Sequence, residues 1–135
     1  MNPVFLDSGY IIALESADDQ NHQAALEHWR RISKSIPPLI TTSYIFSEVT
    51  TFFNSRNLHE KAVQIGNRLI KSASIKLVHV GQTSFFEAWN YFVQHQDKKY
   101  SFTDCVSFVL MKRFNMRKAL SFDKHFIMAG FETLP

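Results

Sequence analysis

Short apolar segments alternate with longer segments of helical periodicity along the chain, and this alternation restricts the fold more than any other feature. The apolar segments are typical of buried strands. They cover residues 4–6, 39–41, 76–80, 118–122 and, as an edge strand, 131–134. Strands that alternate with helices form parallel sheets with right-handed helical connections. The sequence therefore predicts an α/β fold, a three-layer α/β/α sandwich with a small parallel sheet of four to five strands.

Helices are predicted in the segments between these strands. Their ranges are 8–16, 20–35, 44–56, 58–73, 83–95 and 102–115. A chain of 135 residues fills one packed core more readily than two. We therefore expect a single domain over residues 1–135. Hydrophobic residues make up 45% of the chain and include 13 Phe, which argues against a disordered protein.

The cysteine content and the hydropathy pattern narrow the class of protein further. The one cysteine, Cys105, cannot form an intrachain disulfide, which fits a reducing compartment. The N-terminus lacks the pattern of a signal peptide, and no apolar stretch approaches the roughly 18 residues that a membrane span requires. We expect a cytoplasmic protein without a membrane partner. The net charge of +3 permits nucleic acid as a partner, and an ordinary solvated surface explains it equally well.

Four acidic residues lie where a carboxylate is unfavourable for stability. Asp7 and Asp123 each follow a predicted strand directly, so both point to the same edge of a parallel sheet. Glu48 falls at the margin of the apolar face of its predicted helix. Asp104 opens the most apolar helix of the chain. If the fold brings these side chains together, they form an oxygen-rich pocket.

Such a pocket requires a cation. Two carboxylates about 5 Å apart repel each other by roughly 3 kcal/mol at an effective dielectric constant near 20. A cluster of carboxylates must therefore protonate, separate or bind a positive ion. Hard oxygen ligands favour Mg²⁺ or Mn²⁺ over zinc. The 6 His show no metal-ligand spacing, and we interpret them as ordinary surface or margin residues.

A purely structural interpretation of the acids is also open. Asp7 can cap the helix that starts at Ser8, and Asp104 completes a capping box with Ser101. Asp123 can be a turn residue. The chain would then be a non-catalytic α/β interaction module.

Several stretches of the sequence resemble the PIN domain family, and within it the VapC-type toxins of prokaryotic toxin–antitoxin pairs. These stretches are residues 5–8, 47–49, 100–105 and 119–126. The resemblance implies an Mg²⁺- or Mn²⁺-dependent endoribonuclease on a small parallel sheet, a homodimer and a cognate antitoxin. Asp7, Glu48, Asp104 and Asp123 match the family's four acidic positions. Ser8 matches a small hydroxyl position, and Ser121 stands where the family often has Thr.

The hypothesis for the reaction is hydrolysis of RNA by metal-activated water. Asp7 and Asp104 would hold the ion directly, and Glu48 and Asp123 would help directly or through water. Such attack leaves 5′-phosphate and 3′-hydroxyl ends. A PIN-like nuclease of RNA maturation or of DNA repair is the alternative, and a transfer RNA loop, a ribosomal RNA loop and messenger RNA all remain open as targets.

A basic segment is the candidate RNA-binding surface. It contains Lys98, Lys99, Lys112, Arg113, Arg117, Lys118 and Lys124. An ordinary solvated helix face with loop lysines explains this segment equally well. Tyr100 and Phe102 can stack on bases, although aromatic residues at a helix start more often belong to the core.

Overall fold

A computed structural model describes all residues from 1 to 135. Its strands are β1 (Val4–Leu6), β2 (Leu39–Thr42), β3 (Ile75–Val78), β4 (Lys118–Leu120) and β5 (Glu132–Leu134). They form one five-stranded sheet in the order β3-β2-β1-β4-β5. Every pair of neighbouring strands is parallel. The predicted α/β fold with a small parallel sheet is confirmed, and β5 lies at the edge as expected.

Seven α-helices connect and cover the strands. They are α1 (Ser8–Glu15), α2 (His22–Ile32), α3 (Ser43–Asn54), α4 (His59–Lys71), α5 (Gln82–Gln94), α6 (Phe102–Arg113) and α7 (Lys124–Met128). A 3₁₀ turn spans Gln96–Lys98. The sequence predicts all of the helices except α7. That helix has only 5 residues, too few to show a helical period.

The direction of chain progression across the sheet reverses between β1 and β4. The chain moves from β1 to β2 to β3 in one direction, and then crosses back to β4 on the other side of β1. Right-handed connections therefore place α1–α4 on one face of the sheet and α5–α6 on the other. In parallel sheets, ligands bind outside the carboxyl ends of the strands at such a reversal. The topology marks the β1/β4 edge as the place to look for a site.

The core is richest around α6, which packs against α5 and α7. Phe108 and Met111 of α6 are fully buried, and the Phe108 ring meets the ring of Phe126 edge-on at 5.0 Å. Cys105 is buried in the same helix. Tyr100, just before α6, is also buried, so it belongs to the core and not to a base-stacking surface. This packing fixes the N-terminal end of α6 against the sheet.

None of the helices combines the length and the apolar character needed to cross a lipid bilayer.

Candidate functional site

A polar cavity of about 300 Å³ lies beyond the carboxyl ends of β1 and β4. No hydrophobic residue lines it. The lining residues are Asp7, Ser8, Gly9, Glu48, Lys99, Ser101, Asp104, Asp123 and His125. All four acids singled out from the sequence therefore line one cavity, although they come from segments far apart along the chain.

Asp7 lies at the junction between β1 and α1. Its Oδ1 accepts a hydrogen bond from the amide of Ser8 at 2.9 Å, and its Oδ2 accepts one from the hydroxyl of Ser121 at 2.7 Å. The residue is only 6% exposed. Burial, helped by the charges of Asp104 and Asp123, raises the pKa of Asp7 to about 7, and the two hydrogen bonds oppose this shift. A carboxylate in this position is poorly compensated by the protein alone.

Asp104 belongs both to a helix cap and to the cavity. Its Oδ2 accepts from the amide of Ser101 at 3.0 Å, and the amide of Asp104 donates to the hydroxyl of Ser101 at 3.0 Å. This is the capping box expected from the sequence. The cap uses only one carboxylate oxygen, so Oδ1 accepts no hydrogen bond from the protein. Burial also raises the pKa of Asp104.

Asp123 and Ser121 connect the end of β4 to α7. Oδ1 of Asp123 accepts from the amide of His125 at 2.8 Å, so Asp123 is the N-cap of α7 where the sequence suggested a turn residue. The hydroxyl of Ser121 accepts from the amide of Asp123 at 3.0 Å while it donates to Asp7. Ser121 is fully buried. One hydroxyl therefore fixes the positions of two of the acids.

Glu48 differs from its sequence-based description. Helix α3 buries Ile45, Val49 and Phe53. Glu48 directly precedes Val49 in the sequence, but its side chain lies outside the buried face of the helix and is exposed. The expectation of a glutamate at the core margin is therefore wrong in its burial. The side chain still lines the cavity, and it makes no hydrogen bond or ion pair within the protein.

His125 is a cavity residue that the sequence analysis missed. Its Nδ1 lies 3.1 Å from Oδ1 of Asp123 and 3.3 Å from Oδ2 of Asp104. The ring of Tyr100 stands edge-on to the imidazole at 5.5 Å. Asp104, Asp123 and His125 can each offer one ligand atom within 4.8 Å of the others. In the sequence, only the short spacing between Asp123 and His125 indicates that His125 could belong to the site.

The interpretation of every histidine as a surface or margin residue is also wrong for His28. That side chain is 6% exposed, and its Nδ1 is 2.8 Å from the hydroxyl of Tyr10. Burial lowers the pKa of His28. This pair belongs to the packing of α1 against α2.

The structure separates the candidate RNA-binding residues into two groups. Lys99 lines the cavity, Lys124 follows Asp123 on the exposed surface, and Lys98 is half-buried beside Asp97. These residues lie on the site side of the molecule.

The second group lies at the other end of α6 and of β4. Lys112 and Arg113 are the last residues of α6, roughly 12 Å along the helix axis from Asp104. Arg113 forms an ion pair with Glu87 and donates to the hydroxyl of Ser84. Arg117 and Lys118 lie at the amino end of β4, opposite to the site.

The donor set of the cavity fits a divalent cation. Asp104 has a free oxygen, Glu48 is unpaired, and the pKa values of two buried carboxyl groups are raised by desolvation. A bound cation would reduce the repulsion between the carboxylates and would compensate the cost of burying their charges. Oxygen donors are the ligands that Mg²⁺ and Mn²⁺ prefer.

Comparison with known proteins gives consistent results. The family model described as the PIN domain matches residues 4–132. The chain is 33% identical over 129 residues to a Mycobacterium tuberculosis protein named 23S rRNA-specific endonuclease VapC20, with 95% of each chain covered. The crystal structure of Mycobacterium tuberculosis VapC20, described as a Sarcin-Ricin loop cleaving toxin, is similar with a TM-score of 0.84 at 31% identity and 95% coverage of each chain. FitAcB from Neisseria gonorrhoeae, at 13% identity and a TM-score of 0.64, is similar in fold, with 98% of this chain and 96% of that chain covered.

Proposed function

This chain belongs to the PIN domain family, and we propose that it is a metal-dependent endoribonuclease of the VapC type. The observation that carries the proposal is the convergence of Asp7, Glu48, Asp104 and Asp123 on one cavity at the carboxyl ends of the central strands. Residues 1–135 would act as one nuclease domain, since they share one sheet and one cluster of 26 buried hydrophobic residues. The relative named for 23S rRNA supports ribosomal RNA as the first substrate to test.

Asp7 and Asp104 are the proposed direct holders of Mg²⁺ or Mn²⁺, and Glu48 and Asp123 complete the set directly or through water. When bound, such an ion acidifies a water molecule and neutralises charge on the scissile phosphate. We expect products with 5′-phosphate and 3′-hydroxyl ends.

The protein's own side chains position the reacting groups. Ser121 holds Asp7 through a hydrogen bond at 2.7 Å, and the capping box with Ser101 holds Asp104 at the start of α6. Glu48 is exposed, lines the cavity and accepts no hydrogen bond within the protein, so it is available to take the proton that the attacking water loses. Ser8 fixes the second oxygen of Asp7 through its amide.

The proposed RNA path follows the basic residues beside the cavity. Lys99 lines the cavity itself, and Lys124 is exposed next to Asp123. We expect both to neutralise phosphates on either side of the scissile bond. Lys112 and Arg113 are too far along α6 to contact the same phosphate.

Cleavage of purified ribosomal RNA tests the activity. We expect cleavage with Mg²⁺ or Mn²⁺, no cleavage with EDTA, and loss of activity in Asp7→Asn and Asp104→Asn. Asp97→Asn is the matched control, because Asp97 is an exposed aspartate outside the cavity. Mapping the product ends checks the attack by water. Full activity of both cavity variants, or activity that persists in EDTA, would exclude this proposal.

Expression in a bacterial host separates a toxin from a nuclease of RNA maturation or DNA repair. A cytoplasmic toxin should arrest growth, and co-expression of a neighbouring short open reading frame should relieve the arrest through the cognate antitoxin. Growth without arrest, in cells that contain active enzyme, would favour the maturation or repair role.

We also propose that the protein forms a homodimer through the exposed face of helix α5. Helix α5 presents large apolar side chains to solvent, among them Phe86, Trp89 and Val93. Exposed apolar patches of this kind are typical of interfaces. Light scattering should give the mass of a dimer for the natural chain and of a monomer for Trp89→Glu. Ile70→Glu, on the exposed side of α4, should remain a dimer.

A further inference from the structure

His125 lies outside the set of acids, but its imidazole stands among them. The residue is in the first turn of α7, two positions after the N-cap Asp123. Its Nδ1 approaches a carboxylate oxygen of Asp123 at 3.1 Å and one of Asp104 at 3.3 Å. The edge-on ring of Tyr100 at 5.5 Å limits the rotation of the imidazole. This position is built by α6 and α7 together.

The Nδ1 atom is shielded from solvent and has no hydrogen-bond partner. Both carboxylate oxygens are within ion-pair distance, but neither contact has the angles of a hydrogen bond. A buried polar atom without a partner costs free energy and is rare in folded proteins. A bound cation would give this atom a partner and would neutralise the two carboxylates, whose oxygens each accept only one backbone hydrogen bond.

The spacing of the three atoms agrees with a shared coordination sphere. Ligand atoms about 2.1 Å from an octahedral ion, and at right angles to each other, are about 3.0 Å apart. Ligand atoms of a tetrahedral ion at the same bond length are about 3.4 Å apart. The observed separations of 3.1 and 3.3 Å lie in this range. The remaining pair also falls within the 4.8 Å that encloses the whole group.

We propose that His125 is a nitrogen ligand of the cation held by the acids of this cavity, next to Asp104 and Asp123, and that it makes the site prefer Mn²⁺ to Mg²⁺. Imidazole is a softer ligand than oxygen, so it adds affinity for first-row transition ions and little for Mg²⁺. The inference rests on the metal site of the proposed function. The alternative is that His125 is a positive counter-ion, which would compete with the metal for the same two carboxylates.

Metal affinities measured on the full chain by calorimetry distinguish these roles. His125→Ala should weaken Mn²⁺ binding by at least about tenfold, the scale of losses around metal sites, and should weaken Mg²⁺ binding by less than about threefold. His125→Asn offers an oxygen in place of the nitrogen and should also lose the preference for Mn²⁺. His59→Ala is the matched control, because His59 lies on α4 outside the cavity, and it should leave both affinities unchanged.

Pulsed electron paramagnetic resonance of bound Mn²⁺ gives a direct second readout. A nitrogen coupling should be present in the natural chain and in His59→Ala, and absent in both variants of His125. The spectrum of the natural chain alone remains decisive if the variants fail to fold. No nitrogen coupling in that spectrum would overturn the inference.

Two further outcomes separate this inference from the proposed function. If the natural chain binds neither ion, the metal site itself fails. If it binds both but His125→Ala leaves the ratio of the affinities unchanged, or tightens both ions, only the role of His125 is overturned.

Discussion

Asp7 is the residue at which burial and charge conflict most strongly. Its pKa is raised from an ordinary value of 3.8 to about 7, chiefly by burial. The folded chain therefore binds this proton more tightly than the unfolded chain does. The stabilising contribution of protonated Asp7 is fully present below about pH 4 and is lost as the pH rises through 7. Over that interval the metal-free protein loses on the order of 4 kcal/mol from this group.

Replacing Asp7 by Asn should raise the stability of the metal-free protein at pH 8. Asn caps a helix as well as Asp does, so the variant removes the buried charge and keeps the cap. Thermal unfolding in EDTA should show a higher Tm for Asp7→Asn at pH 8, by roughly 2–4 °C for each kcal/mol gained, and almost no difference at pH 4. A lower Tm at both pH values would show that the hydrogen bond to Ser121 dominates.

Metal binding should release protons near neutral pH, because the ion requires the ionised form of Asp7. With a pKa of about 7, Asp7 is half protonated at pH 7. Binding at pH 7 should therefore release at least about half a proton, and binding at pH 9 almost none. Calorimetry in two buffers with different ionisation enthalpies measures this number. Equal proton release at both pH values would contradict the assignment of Asp7 as a ligand.

Among the secondary-structure elements, α6 contributes most to the site, because its first turn holds Asp104 and its apolar body anchors that turn in the core. The capping box joins Ser101 to Asp104 through two hydrogen bonds of 3.0 Å. The stability of this helix end and the position of the carboxylate are therefore coupled.

Ser101→Ala should cost about 1 kcal/mol of stability, as the loss of an N-cap usually does, and should also weaken metal binding. Without the serine hydroxyl, the amide of Asp104 loses its partner and the first turn of α6 becomes less fixed. Urea unfolding measures the first effect and metal titration the second. Ser101→Thr keeps the hydroxyl and serves as the control. A stability loss with unchanged metal affinity would show that the cap and the site are independent.

The sequence predicted the elements that have a clear period and missed what depends on three-dimensional contacts. The fully buried strands β1 and β2 were found because they are short apolar runs. Strand β4 ends at Leu120, two residues before its predicted end. Ser121 still donates its amide to the carbonyl of Leu134, and its hydroxyl donates to Asp7, a contact that the sequence pattern does not show. His125 was missed because its partner Asp104 is distant along the chain. The exposure of Glu48 was also missed, because the position of a residue on its helix does not show which side of that helix the neighbouring helices cover.

At the scale of the whole molecule, the basic residues are divided between the two ends of the sheet. Lys99 lies at the cavity, in the left-handed region at a φ of 60°, whereas Lys112 lies near the far end of α6, with its ammonium group 5.1 Å from the ring centre of Tyr91. The basic segment of residues 98–124 therefore does not form one continuous surface. We expect RNA to bind at the end of the sheet that carries the cavity and not at the opposite end.

Lys99→Gln should weaken RNA binding and lower its salt dependence, because one phosphate contact is lost. The slope of log affinity against log salt should decrease by about 0.7–0.9, the value for one contact. Lys112→Gln is the matched control and should leave both quantities unchanged. Fluorescence anisotropy in EDTA measures binding without cleavage. Equal effects of the two substitutions would indicate a non-specific charge effect.

The strand order also determines when the cavity can form during protein synthesis. The central strand β1 emerges from the ribosome first, but one of its two neighbours is β4, which begins at residue 118. Asp123 and the hydroxyl that holds Asp7 come later still. A nascent chain therefore carries an incomplete acidic centre until residues 118–123 have left the ribosome.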